Sequence, residues 1–168
     1  MQGWSSAGSG MIYLITGDIN TGKTTQMLEL FKEHPRGDGF VCPKVFENKQ
    51  FVRYNIRHLQ SGHSMPFVYP VDSVPENWNE QIRYGKYTFS GQAFSFAERI
   101  TRKCLKNHTF PFFLDEIGPL ELDFHEGFYS ILKKILSQDI DLYISIRKSR
   151  MNDLTDYLDI EKAHIFYL

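Results

Sequence analysis

Apolar residues along this chain fall into two rhythms, and their order lays out a fold. The run "MIYLIT" at residues 11–16 has no polar alternation, the pattern of a strand buried on both faces. From residue 22 to about 33, Met27, Leu28 and Phe31 recur on one side of a predicted helix, which His34-Pro35-Arg36-Gly37 stops. Between residues 38 and 90 the texture changes. In "FVRYNIRHL", Val52, Tyr54 and Ile56 alternate with Arg53, Asn55 and Arg57, the period of a half-exposed strand. Ser61-Gly62-His63 turns the chain into "SMPFVY", and "IRYGKYTF" closes a stretch that reads as antiparallel strands and loops. Helical spacing returns with Phe94, Ala97, Ile100, Thr101, Cys104 and Leu105. "FPFFLDEI" predicts a second buried strand, ending on two acids. Phe124, Phe128, Ile131, Leu132, Ile135 and Leu136 predict one amphipathic helix. "DLYISI" reads as a third buried strand, residues 151–158 as a short helix and "HIFYL" as a last strand.

Strands and helices that alternate at both ends of the chain imply an α/β fold: a mainly parallel sheet covered by helices on both faces, with the middle third as an antiparallel insertion. The 168 residues suit one domain, placed at 11–168. Residues 1–10, "MQGWSSAGSG", are small and polar, carry no signal segment and are expected to be a disordered tail. A net charge of −1 gives no global field to recruit nucleic acid or membrane. No apolar run is long enough to span a bilayer. Cys42 and Cys104 show no disulfide or metal-pair spacing, which favours a reducing compartment and a cytoplasmic location.

Within this frame, "GDINTGKT" places Gly17-x-x-x-x-Gly22-Lys23-Thr24 between a buried strand and a helix. A triphosphate carries too much charge for any single side chain. Successive backbone N–H groups, continued by a helix N-terminus, can cradle it. The nucleotide-binding candidates are therefore Gly17, Asp18, Ile19, Asn20, Thr21, Gly22, Lys23, Thr24 and Thr25. Gly17 lets the chain leave the strand sharply, and Gly22 lets backbone approach the phosphates. Lys23 would reach the β- and γ-phosphates, and the Thr24 hydroxyl would ligate Mg²⁺. Asp18 is an oddity, a carboxylate beside polyphosphate that suits a solvent-facing position or a loop cap.

Asp115 ends an apolar strand at the carboxyl edge of the sheet, where ligands bind in open α/β folds, and would hold Mg²⁺ through water. Glu116 points elsewhere and is the candidate to polarise an attacking water. After the third buried strand, "SIRKSR" offers Arg147, Lys148 and Arg150. Arg147 and Lys148 are the candidates to neutralise charge spreading over a transferred phosphoryl group. The six histidines lack ligand spacing. The abundant aromatics fall mostly on buried faces, so no nucleic-acid surface is evident. No Asn-Lys-x-Asp base-reading motif occurs, since Asn48-Lys49 continues as Gln50-Phe51.

The loop, "LDEIGPLEL" and "SIRKSR" together resemble the THEP1-type nucleoside-triphosphatase family over nearly all of residues 11–168. Asp115-Glu116-Ile117-Gly118 with Glu121-Leu122 matches the family's most specific signature. Gly85-Lys86-Tyr87 and Arg147-Lys148-Ser149 also fall where the family has similar residues. Asp-Ile-Asn-Thr replaces the usual Pro or Gly inside the loop, a departure that removes no phosphate-binding group. The resemblance implies a RecA-like P-loop core and slow, Mg²⁺-dependent hydrolysis of several nucleoside triphosphates to diphosphates. Two other functions are compatible with the same residues. One is a small-molecule kinase whose acceptor pocket lies in the antiparallel third. The other is a regulatory module whose nucleotide state controls a partner.

Overall fold

In the computed structural model, which describes residues 10–168, Ile12–Gly17 form β1 inside the parallel part of one sheet. Its neighbours are β9 (Leu142–Arg147) on one side and β10 (His164–Tyr167) on the other, both parallel to it. Leu14 belongs to the core on one face and Ile15 to the core on the other, and both are fully buried. Burial on both faces is why this segment carries no polar alternation. β8 (Phe112–Ile117) lies beside β9, and β2 (Asp38–Val41) beside β8, again parallel. The parallel order is thus β10-β1-β9-β8-β2.

Beyond β2 the sheet becomes antiparallel. β4 (Gln50–His58) pairs with β2 and also carries β3 (Lys44–Glu47). β5 (Ser64–Pro70), β7 (Tyr87–Ser90) and β6 (Glu80–Tyr84) continue it outward. Helices cover both faces. α1 (Lys23–Glu33) buries Met27 and Leu30 against Ile15, Val41, Phe113 and Tyr143. α2 (Gly91–Asn107) buries Ala93, Ala97, Ile100 and Cys104 in the larger core on the opposite face, where α4 (Tyr129–Leu136) adds Ile131, Leu132 and Ile135. This is the RecA-like arrangement expected above, a mainly parallel core with an antiparallel extension.

Three expectations need correction. Residues 38–41 are not part of the antiparallel insertion but the edge of the parallel core. Asp38 disguises them: this buried carboxylate accepts the N–H groups of Gly39 and Gln60 and lies 2.7 Å from His58 Nε2, so an acid can open a buried strand. The single helix expected around residues 124–136 is two. α3 (Pro119–Phe124) ends at His125, whose φ is +55°, and α4 restarts after Gly127 at φ +63°. Residues 148–156 and 160–162 form 3₁₀ turns in place of a short α-helix.

The expected tail falls outside the described residues except for Gly10, which packs on the Ile140 backbone. Among the described residues no helix is long and apolar enough to cross a membrane.

Candidate active site

The loop between β1 and α1 turns through two residues of left-handed backbone, Asn20 at φ +64° and Gly22 at φ +88°. The two glycines serve needs that the spacing alone does not reveal. At Gly22 the surroundings are open and the positive φ is the requirement, whereas a Cβ at Gly17 would collide with the Thr21 hydroxyl. That hydroxyl donates to the Asp18 carbonyl at 2.9 Å, while Asp18 itself is exposed. Lys23, the first residue of α1, is buried along its stem. Its ammonium donates to the carbonyls of Asp18 at 2.7 Å and Gly17 at 3.3 Å. Burial pulls its pKa below the usual lysine value, with Glu116 opposing and Arg147 adding to the shift.

β9 lies between the loop strand and the strand that carries the acids, and Ser145 on β9 joins them. Its hydroxyl donates to Asp115 Oδ1 and accepts the Glu116 N–H at 2.8 Å. Asp115 is fully buried. Its Oδ2 accepts the Thr24 hydroxyl at 2.8 Å and the Cys42 N–H at 2.8 Å, so the acid strand and the phosphate loop are directly hydrogen-bonded. Glu116 sits at φ +67°, inside an irregularity in the β8–β9 register between Leu114 and Ile117. A bulge re-aims a side chain that regular alternation would place elsewhere. It leaves Glu116 facing the same cavity as Lys23, Thr24 and Arg147. Burial, then the neighbouring Asp115, push the Glu116 carboxyl up to about 7, with Lys23 and Arg147 pulling the other way.

The basic stretch separates cleanly. Arg147 ends β9 in register with Gly17 and lines the cavity. Lys148 starts the following 3₁₀ turn and lines none of the cavities described here, and Arg150 is held by Asp123 and Asp153. Arg147→Ala is therefore expected to lower kcat by about 10²-fold, the scale for removing one fixed donor from developing charge. Lys148→Ala should stay near the wild-type rate. Steady-state kinetics on the two variants, with nucleotide affinities, checks this contrast.

Glu121 lies close by but has a different use. Buried, it accepts the Gly118 and Phe128 N–H groups at 2.9 Å each and so clips together the turn after Asp115-Glu116. Gly127 is needed because a Cβ there would strike this carboxylate. Glu121→Ala orphans two N–H groups, each costing about 1–3 kcal/mol where water cannot reach. Denaturant unfolding should show a loss of that order.

The nucleotide-sized cavity, about 420 Å³, is bounded by the loop and α1 on one side and by Pro43, Lys44, Phe46 and Tyr54 on the other. Sequence reading missed this second wall, because β3 and β4 reach the loop only through long-range pairing. Nothing in the sequence marks Phe46, whose 57% exposure on a short strand is visible only in the fold.

A glycine-bounded loop between a buried strand and a helix, with its threonine bonded to an acid two strands away, defines a P-loop nucleotide-binding protein. The profile of the NTPase_1 family, described as NTPase, matches residues 12–168, and the chain belongs to this THEP1-type nucleoside-triphosphatase family. NTP binding and hydrolysis are the general activity of that family. The fold is similar to the crystal structure of THEP1 from the hyperthermophile Aquifex aeolicus. There the TM-score is 0.71 at 21% identity, covering 94% of this chain and 90% of that one. It is also similar to the solution structure of a human cancer-related nucleoside triphosphatase, with TM-score 0.63 at 22% identity, covering 95% and 89%. No curated protein sequence matched the chain.

Proposed function

We propose that this chain is a Mg²⁺-dependent nucleoside-triphosphatase that releases NDP and phosphate with little discrimination among bases. The observation that carries this reading is Glu116, a carboxyl of raised pKa aimed by a backbone irregularity into the cavity of the phosphate loop. The loop N–H groups and the first turn of α1 hold the phosphates, and Lys23 turns from the loop carbonyls toward them. Glu116 takes the proton of a water whose oxygen attacks the γ-phosphorus. The bond to the β,γ-bridging oxygen breaks, and the diphosphate leaves with the electron pair. Arg147 meets charge developing on the transferred group.

Thr24 and Asp115 suit Mg²⁺, because both present oxygen, the ligand a hard cation takes. Asp115 already accepts three hydrogen bonds, which favours holding the ion through water. Among the described residues no group of three or more His, Cys, Asp or Glu side chains is placed to hold a metal ion. Mg²⁺ bound with a nucleotide takes most of its ligands from water and phosphate. When bound, the ion neutralises charge on the phosphate oxygens.

Base tolerance follows from the outer wall. Phe46 is exposed and lines the same cavity as Thr25 and Leu28, and every base has a face to stack on an aromatic ring. Side-by-side hydrolysis of ATP, GTP, CTP and UTP is the test, with rates expected within about tenfold of one another. Phe46→Ala should weaken all four alike. Use of a single base would refute the breadth, and no hydrolysis of any would refute the activity.

A further inference from the structure

Beyond Glu116 and Arg147 lies a second cavity, of about 220 Å³, that shares four residues with the nucleotide cavity: Cys42, Tyr54, Glu116 and Arg147. The antiparallel extension builds its far wall from Phe67, Phe89 and Tyr87, and Phe128 closes it from the other side. These rings pack on one another: Phe67 stacks with Phe128 at 5.3 Å between centroids and meets Phe89 edge-on at 5.6 Å. At the rim Tyr84, on the β6–β7 hairpin, touches Phe124 at the end of α3 at 5.8 Å, though both rings are exposed. Hydrolysis needs only a water beside Glu116. It does not need an aromatic chamber on the far side of that carboxyl.

We infer that this chamber is an acceptor site, and that the protein transfers the γ-phosphoryl group to a neutral primary alcohol carried on a ring. The inference rests on the nucleotide reading above, since the donor is the triphosphate in the adjoining cavity. Size sets the first limit: about 220 Å³ falls below the range of roughly 300–1,000 Å³ for drug-sized ligands, so a second nucleoside triphosphate is excluded. Charge sets the second. Glu121, the acid deeper in the chamber wall, is already occupied by two backbone N–H groups, and Glu116 and Arg147 face the phosphates. Because Glu116 and Arg147 line both cavities, a charged acceptor would have to compete with the donor's phosphates for Arg147 or lie against Glu116, a cost a neutral one avoids. Chemistry sets the third. The ring seats the molecule among Phe67, Phe89 and Tyr87, and its hydroxyl lies at the shared edge. The Tyr54 hydroxyl is there too, and makes no hydrogen bond among the described residues. The alcohol oxygen bonds to the γ-phosphorus, and the bond to the β,γ-bridging oxygen breaks. The diphosphate leaves with the electron pair, and the hydroxyl proton passes to Glu116. Products are a phosphate monoester and NDP. In this scheme hydrolysis is the same transfer with water in the alcohol's place.

The test is a partition experiment with γ-labelled ATP, Mg²⁺ and one alcohol at a time: benzyl alcohol, cyclohexylmethanol and thymidine, with ethanol at equal concentration as the ringless control. Ester and free phosphate are counted together. At least one ring alcohol should give an ester-to-phosphate ratio about 100-fold above that of ethanol, because the chamber raises its effective concentration at the phosphorus. Tyr84→Ala removes a ring from the exposed rim, where folding is not at stake. It should cut ester yield about tenfold while hydrolysis stays within about twofold. If all three ring alcohols partition like ethanol while ATP is still hydrolysed, the acceptor site is overturned and the hydrolase reading stands. If neither ester nor phosphate forms, both fall. Ester formation that Tyr84→Ala leaves unchanged overturns the chamber as the place where the alcohol sits.

Discussion

Lys23→Ala is expected to remove nearly all turnover, with kcat falling about 10²–10³-fold, and to weaken triphosphate binding as well. The ammonium is held at the mouth of the loop by the carbonyls of Asp18 and Gly17, and burial of its stem leaves few other places for it to go. Desolvation already disfavours the charge, so the site is one in which a phosphate oxygen would be a better partner than a carbonyl. Charge-assisted hydrogen bonds of this kind contribute about 1.5–3 kcal/mol in binding alone, and more when negative charge builds on the transferred group. Melting temperature should change little, since the loop keeps its glycines and the Thr21–Asp18 hydrogen bond. Titration of nucleotide and measurement of kcat on the folded variant would check it. Unchanged affinity and rate would dissolve the assignment of the loop.

Glu116→Gln should act on chemistry and spare binding. The amide keeps the size and the backbone position set by the Ser145 hydroxyl, but cannot accept a proton. Hydrolysis should fall about 10²–10⁴-fold, the span of acid–base assistance. The pH profile gives an independent readout. Burial and Asp115 raise the Glu116 pKa to about 7, so below that pH the carboxyl is protonated and inactive as a base, and above it the carboxylate is available. Wild-type kcat/KM should therefore climb with pH and level off above about 7. The variant should lose that limb. A variant that keeps both the rate and the limb would mean another group handles the proton.

Much of this arrangement was legible in the residues, for physical reasons that differ from place to place. β1, β8 and β9 declared themselves because strands buried on both faces cannot hide their apolar runs, and the loop did so because phosphate binding demands glycines at fixed positions. β2 was not legible. It has four residues, and the buried Asp38 that opens it is tolerated because the adjacent Gly39 N–H, His58 from β4 and the Gln60 N–H from the turn after β4 satisfy it. Nothing in "DLYISI" singles out Ser145. Its role as the bridge between Asp115 and the Glu116 backbone depends on β9 lying between β1 and β8. The positive φ of Glu116 belongs to the same pairing and leaves no mark in a single sequence. The residues alone put Arg147 only slightly ahead of Lys148. Strand register separates them, since Arg147 pairs opposite Gly17 and the chain bends away at the next residue. Helical periodicity ran straight through residues 124–136 because Phe124 sits at helical spacing from Phe128, although Phe124 is exposed at the end of α3 and only Phe128, Ile131, Leu132 and Ile135 enter the core; His125 and Gly127 break the backbone between them.

The most direct test of Mg²⁺-dependent hydrolysis in this cavity is a single-turnover experiment: wild-type protein in excess over γ-labelled ATP, with Mg²⁺ or with EDTA, followed by phosphate release. Phosphate should appear in one exponential phase with Mg²⁺ and be nearly absent with EDTA, because Thr24 and Asp115 have lost the ion they would hold. Equal release in the two reactions, or none in either, would contradict it.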